Sequence, residues 1–183
     1  MAGGEYGVRG FVAAYKQSTG EQVWKTYTIP GEGEPGNETW AGDSWVGRSG
    51  VNVWGFLTVD AKRGLIYVAT GDSYTEIKHP TSDAVVAMDL KTGKIAWYFQ
   101  FVHHGIWDYD LPAAPNLMDL TVDGRKIKAA VQVTKQGFLF AFDRISGKPI
   151  WPITEKKVPK GDVPGEWYSP TQPFPSKIGR AHV

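Results

Sequence analysis

Val86-Ala87-Met88-Asp89-Leu90-Lys91-Thr92-Gly93-Lys94-Ile95-Ala96-Trp97 reads as an apolar strand, a turn opened by a polar side chain and closed by glycine, and a second strand ending on an indole. The pattern recurs on both sides. Val12-Ala13-Ala14-Tyr15 leads to Thr19-Gly20 and Trp24, and Phe140-Ala141-Phe142-Asp143 leads to Ser146-Gly147 and Trp151. In each copy the glycine precedes the tryptophan by four residues, and each copy is predicted to be a β-hairpin. A unit this small cannot bury both faces of its own sheet, so repeated units imply stacked sheets that share a core with their neighbours. Radial stacking of such sheets gives a β-propeller. The competing arrangement, three unrelated hairpins in a β-sandwich, leaves the fixed glycine-to-tryptophan interval unexplained.

Composition agrees with an all-β chain. Eight Trp, eight Tyr and eight Phe, with 22 Gly and 12 Pro in 183 residues, suit many short strands joined by tight turns. The hydrophobic fraction of 42% and net charge of +1 describe a globular protein. With 20 Lys and Arg against 19 Asp and Glu there is no basic field to attract nucleic acid or an anionic membrane. Zero cysteines exclude disulfides, thiolate metal sites and cysteine nucleophiles. The apolar stretches, such as Ala129-Ala130-Val131 and Phe138 to Phe142, are too short for a membrane-spanning helix, and no signal-peptide pattern follows Met1.

Between the repeats, Gly31 to Asn37 and Pro159 to Pro175 are rich in Gly or Pro and read as long surface loops, which commonly serve a site. The stretch from Leu111 to Leu120 is a modest helix candidate. Three blades do not close a ring, so residues 1–176 are expected to be part of a larger propeller. Residues 177–183, Lys-Ile-Gly-Arg-Ala-His-Val, are what a short-read library adapter would encode and are expected to be a non-native tail.

The chemistry concentrates in His103-His104-Gly105-Ile106-Trp107-Asp108-Tyr109-Asp110-Leu111-Pro112. A Trp-Asp pair leaving a strand puts a carboxylate at a sheet end beside a desolvating ring, where a base can be held and its pKa adjusted. Taken alone, Asp108 is more often a turn-capping residue. His103 and His104 raise the question of zinc, but adjacent side chains on a strand point to opposite faces and no third soft ligand lies nearby. Trp40, Asp43 and Trp45 lie on a long loop, with side-chain directions the sequence leaves open.

This segment, with Val133-Thr134-Lys135-Gln136-Gly137-Phe138 and Ser169-Pro170-Thr171-Gln172-Pro173-Phe174, resembles the alcohol and glucose dehydrogenases that depend on pyrroloquinoline quinone (PQQ). The resemblance runs from about Gly3 to Ser176 and implies about three blades of an eight-bladed propeller that holds PQQ near its axis. It implies that Asp108 is general base and metal ligand, and that Lys135, 27 residues later, bonds the reactive quinone oxygens. Gly3-Gly4-Glu5-Tyr6-Gly7-Val8-Arg9-Gly10 resembles a family segment whose glutamate binds the metal and whose preceding backbone amides, here of Gly3 and Gly4, meet a PQQ carboxylate. Trp54, in Gly50-Val51-Asn52-Val53-Trp54-Gly55, matches the tryptophan that stacks on the quinone plane. Asp72 stands where alcohol- and methanol-oxidising relatives carry a metal-binding asparagine. Asp110 falls where an aspartate marks lanthanide-dependent relatives, although glucose-type relatives carry one too, and a turn-capping role competes.

The resemblance thus implies a metal set of Glu5, Asp72, Asp108 and Asp110 around Ca²⁺ or a lanthanide ion. It further implies an alcohol or sugar substrate, an electron acceptor such as cytochrome c or ubiquinone, and a periplasmic location. A non-catalytic propeller serving as a scaffold for protein partners is the competing reading, since fold alone does not establish function.

Overall fold

The computed structural model describes residues 2–3 (backbone), 7–34, 49–73 and 80–176. Every regular element in them is a strand, and all strand ladders are antiparallel. Strands β1 (Ala2–Gly3), β2 (Phe11–Tyr15) and β3 (Gln22–Tyr27) form one sheet in chain order. A second sheet of four strands holds β4 (Thr58–Asp60), β5 (Leu65–Ala69), β6 (Ala84–Asp89) and β7 (Ile95–Gln100). The third contains β8 (Asn116–Val122), β9 (Arg125–Val133) and β10 (Leu139–Asp143). A two-stranded ribbon of β11 (Ile153–Lys157) and β12 (Thr171–Pro175) follows. No described segment is a helix long and apolar enough to cross a membrane.

The central sheet shows why the blades must stack. Its strands β5 and β6 are buried on both faces, so their side chains divide by alternation. Leu65, Tyr67, Ala69, Val85 and Ala87 pack with Phe101, Ala130, Phe140 and Phe142 on the side of the third sheet. Ile66, Val68, Ala84, Val86 and Met88 pack with Val12, Val53 and Trp24 on the side of the first. Strands apolar on both faces are sheets between two neighbours, the packing of propeller blades.

The repeat's tryptophan makes the joint. Trp24 Nε1 donates to the Leu90 carbonyl at 3.2 Å and Trp97 Nε1 donates to the Arg144 carbonyl at 3.1 Å. Each indole lies over the turn glycine of the next blade: a Cβ on Gly93 would collide with the Trp24 ring, and one on Gly147 would lie 2.6 Å from Trp97. Asp89 and Asp143 hold these turns, each Oδ1 accepting from two backbone amides and one hydroxyl. In the first copy the equivalent position is Lys16, whose carbonyl accepts from Gly20 N at 2.8 Å. A buried tie reinforces the second joint, with Arg144 bonding the Ala129 carbonyl at 2.9 Å and Asp60 Oδ2 at 3.4 Å. Tyr67 donates its hydroxyl to the Arg144 carbonyl at 3.0 Å, and burial pushes the phenol up to about 12.

Three sequence expectations are corrected. The third repeat is not a full hairpin. After β10 the return is held by the Asp143 N to Lys148 O bond at 2.9 Å, a single bridge of Phe142 with Pro149, and the Ile150 N to Ala141 O bond at 2.8 Å, because Pro149 lacks an N–H for a continuous ladder. Leu111 to Leu120 contains no helix. Pro112 and Pro115 break it, and β8 pairs with β9 around Asp123 and Gly124, both at positive φ (50° and 75°), a two-residue hairpin turn. Pro159 to Pro175 is not all loop either, since Thr171–Pro175 is β12. Its Pro173 and Pro175 alternate with Gln172, Phe174 and Ser176, so both missing N–H groups fall on the edge away from β11, where Ser176 N still donates to Pro152 O at 3.0 Å.

Candidate functional site

The segment leaving β7 turns sharply at Val102 to Gly105, and Asp108 takes a positive φ of 55°. Side chains then alternate. Trp107 and Tyr109 line a cavity of about 250 Å³ with Gln136, Phe138 and Phe174, while Asp108 and Asp110 face Lys135. Lys135 sits in the turn between β9 and β10, closed by the Gly137 N to Thr134 O bond at 3.1 Å. Its Nζ reaches the Asp108 carbonyl at 2.8 Å, Asp108 Oδ2 at 3.2 Å and Asp110 Oδ2 at 3.5 Å.

Asp72, just beyond β5, joins from the other side. Its amide donates to Asp110 Oδ1 at 2.5 Å, and its Oδ1 accepts from Ser73 N at 2.7 Å. The approach is possible because residue 71 is glycine: a Cβ there would lie 2.5 Å from both Asn52 Oδ1 and Asp110 Oδ1. Backbone bonds from Gly71 N to Asn52 O (2.9 Å) and from Val51 N to Asp72 O (2.7 Å) fix this loop against the strand-like segment before Trp54. Val51 holds a positive φ of 48°, unusual for a β-branched residue and an indication of strain at this point.

Sequence reasoning missed Asp83, the residue immediately before β6. It is 1% exposed, its φ is 46°, and its Oδ1 lies buried without a hydrogen-bond partner. Within Thr81-Ser82-Asp83 it reads as an ordinary turn residue, and nothing local marks it otherwise.

The carboxylates differ in electrostatics. Burial, opposed by the Ser73 amide and aided by Asp110, pushes Asp72 up to about 6. Burial and the charges of Asp72 and Asp110 hold Asp83 well above the ordinary carboxylate range. Asp110 is raised by burial and by sharing a hydrogen bond with Asp108. Asp108 moves the other way, lowered by its bonds to Asp110 and Lys135. Its side chain is 82% exposed. The group therefore presents one exposed, ionised carboxylate in front of three that are desolvated, with Lys135 against them.

Of the residues singled out from sequence, Asp72, Asp108, Asp110 and Lys135 come together. Trp54, which would be core if its role were packing alone, is 52% exposed and makes no hydrogen bond or ring contact with that group. Gly3 pairs in β1 with Phe11. Gly4, Glu5, Trp40, Asp43, Trp45 and residues 177–183 lie outside the described residues. Among the described residues no three His, Asp or Glu side chains form a group that could hold a metal ion by themselves. The two histidines diverge. His103 bonds Gln100 Oε1 at 2.8 Å and Glu155 Oε1 at 3.0 Å, and His104 stacks on Trp167 at 3.8 Å between ring centres.

Comparison with known proteins places these features in context. Residues 3–182 match the model of the PQQ glucose/ethanol/alcohol dehydrogenase β-propeller domain. The chain is 37% identical over 175 residues to the glycerol dehydrogenase large subunit of Gluconobacter oxydans (strain 621H), covering 90% of this chain and 23% of that protein. It is 36% identical over 179 residues to quinoprotein glucose dehydrogenase A of Acinetobacter calcoaceticus, covering 90% and 22%. Among solved structures, a europium-containing methanol dehydrogenase superposes with a TM-score of 0.70 at 29% identity, over 83% of this chain and 32% of that one. The chain thus spans about a quarter of the length of the curated relatives it matches.

Proposed function

The chain belongs to the PQQ-dependent glucose, ethanol and alcohol dehydrogenase β-propeller family, and from that premise we propose that it supplies the general base and the cation-binding side of an enzyme that oxidises an alcohol or sugar hydroxyl. The observation that carries this reading is the junction of Lys135 with Asp108 and Asp110, which places an ionised, exposed base beside a fixed cation.

The chemistry of the residues present suits both implied groups, although the described carboxylates make a cation set only together with Glu5. Asp72, Asp83 and Asp110 are carboxyl groups drawn out of water at a cost that a hard cation would offset, since oxygen donors are what such ions bind. Asp72, Asp108 and Asp110, with Glu5, would hold Ca²⁺ or a lanthanide ion, which supplies Lewis acidity when bound. The exposed indole of Trp54 suits a planar ring, and PQQ, when bound, supplies the two-electron acceptor for hydride from the carbinol carbon.

The chain's own residues do the rest. Asp108 takes the proton of the substrate hydroxyl, a role its exposure and depressed pKa permit at neutral pH. Lys135 orients that carboxylate through its carbonyl and Oδ2 and stabilises negative charge that grows nearby during reaction. Loss of a proton and a hydride leaves an aldehyde, ketone or lactone. Glu5, Asp72, Asp108 and Asp110 together carry more negative charge than Ca²⁺ offsets. A trivalent ion suits that excess better, and a europium-containing relative shares the fold.

Reconstitution tests the proposal. The full-length protein, supplied with PQQ and either Ca²⁺ or La³⁺, should show bound-quinone absorbance and reduce a dye with a member of an alcohol and sugar panel, at least as fast with La³⁺. Absence of both signals under every condition would leave a scaffold.

A further inference from the structure

Between β7 and β8 the chain runs as an arc without regular structure, and Asp108 sits on it. The two ends of the arc are anchored in the core, by Phe101 and Val102 on one side and by Leu111 on the other. No residue from His103 to Asp110 is buried. Core packing therefore does not set the shape of the arc, yet two of its non-glycine residues, His104 and Asp108, hold positive φ of 33° and 55°. Such backbone persists only where surrounding contacts fix it, and here those contacts are ties from other elements.

Gln172, on β12, makes the tie at the start of the arc. Its side chain is buried, Oε1 accepts from His103 N at 2.8 Å, and Nε2 donates to the His103 carbonyl at 2.8 Å. One side chain thus supplies both bonds that a neighbouring strand would give. The chain just before β12 continues the contact: Ser169 N donates to the His104 carbonyl at 3.1 Å, and the Tyr168 ring meets Trp107 at 4.9 Å between centres. Lys135 holds the far side through the Asp108 carbonyl at 2.8 Å. Both amide groups of Gln172 are spent on the backbone of His103, so an effect on Asp108 passes along the arc.

We propose that Gln172 is a positioning residue for the base: by clamping the backbone of His103 it fixes the arc that sets where the Asp108 carboxylate meets a substrate hydroxyl. The inference rests on the reading of Asp108 as base. It adds a contribution from β12, an element 69 residues away in sequence that holds none of the reacting groups. Glutamine suits the task because it carries an acceptor and a donor at one end, whereas glutamate keeps the acceptor and turns an oxygen toward the His103 carbonyl.

The test compares wild type, Gln172→Met and Gln172→Glu in the full-length protein. Methionine keeps the buried volume and removes both bonds, and glutamate, the milder change, carries the test if the methionine variant does not fold. Hydrogen–deuterium exchange without substrate should show the amides of residues 103–108 exchanging at least about tenfold faster in Gln172→Met, with the blade strands unchanged. In the enzyme loaded with PQQ and metal, kcat per bound quinone should fall by about ten- to a hundredfold while KM for the alcohol or sugar stays within about twofold, the mark of a misplaced base and not of lost substrate binding. In an Asp108→Asn background the same replacement should change kcat by less than about twofold, since Gln172 acts through Asp108. Unchanged exchange in residues 103–108, unchanged kcat per bound quinone, or a rise in KM alone would overturn the proposal. An undiminished loss in the Asp108→Asn background would overturn it too, because Gln172 would then support the whole site. Near-normal turnover in Asp108→Asn itself marks failure of the base reading, which the exchange result does not depend on.

Discussion

Lys135 Nζ lies 2.8 Å from the backbone carbonyl of Asp108 and 3.2 Å from its Oδ2, so one ammonium holds the carboxylate in place and, after the hydrogen bond with Asp110, helps to keep it ionised. Two variants should therefore differ in kind. Asp108→Asn in the full-length enzyme should keep its quinone but lose about a thousandfold or more in kcat, because an amide cannot accept the substrate proton. Lys135→Ala should lower kcat and also shift the acid limb of the pH profile upward, since Asp108 loses a group that depresses its pKa. Steady-state rates from pH 4 to 9 check both, and near-normal turnover in Asp108→Asn would remove the base assignment.

The blade joints allow an internally controlled stability test. Gly20, Gly93 and Gly147 occupy the same turn with φ of 73°, 70° and 68°, so alanine meets the same backbone strain at each. Gly93 and Gly147 lie beneath Trp24 and Trp97, whereas nothing lies within 4 Å of a Cβ on Gly20. Gly20→Ala should cost about 1 kcal/mol, the strain alone. Gly93→Ala and Gly147→Ala should cost about 3 kcal/mol, strain plus displacement of an indole. Denaturant unfolding of the three variants measures the difference, and equal losses would show that the indoles do not bear on the turn.

Much of this architecture was legible because the repeat encodes both its hairpin and its joint. The glycine is spaced from its tryptophan so that the indole leaves the blade toward the next one, and the alternation in Ala84 to Asp89 supplies two buried faces. The Asp123-Gly124 pair is a hairpin-turn signal that the reading of Leu111 to Leu120 as a helix did not take into account. The strand at Thr171–Pro175 was hidden by prolines whose alternation matters only once a partner strand is known. At the site, Asp108 and Lys135 were found through resemblance, while their direct contact depends on two turns far apart in sequence. Asp83 could not be found this way, since what sets it apart is burial beside Asp72, at the other end of the connection from β5 to its neighbour β6.

Asp60 predicts an acid-sensitive joint. Burial pushes its carboxyl up, but the neighbouring Arg63 and Arg144 outweigh that and hold it below the usual range. A depressed folded pKa means that the pair stabilises the protein above the unfolded aspartate pKa, about 4, and that this contribution is lost as pH falls through the lower folded value. Wild type should thus lose stability below about pH 4, and Asp60→Asn should show a shallower decline there. At neutral pH the variant should be less stable by about 3 kcal/mol, because Arg144 keeps its burial and loses its nearest carboxylate. Thermal unfolding of both proteins from pH 3 to 7 checks the sign, and parallel curves would mean that Asp60 does not carry the effect.

Gly71 tests whether the site depends on close packing of its acidic groups. Its φ is not in the left-handed region, so alanine brings no backbone strain and acts through its Cβ alone. That Cβ would lie 2.5 Å from Asp110 Oδ1 and from Asn52 Oδ1, and both oxygens must give way. Moving Asp110 breaks its 2.5 Å bond from the Asp72 amide, while the bonds from Lys135 to Asp108 survive on the far side. Gly71→Ala should therefore leave the fold largely intact and lower cation affinity by about ten- to a hundredfold, the usual effect of disturbing groups that orient metal ligands. Calorimetric titration with Ca²⁺ and La³⁺, alongside the melting temperature of the metal-free protein, separates the two effects. Unchanged affinity would mean that the contact between Asp110 and the Asp72 amide is not what shapes the site.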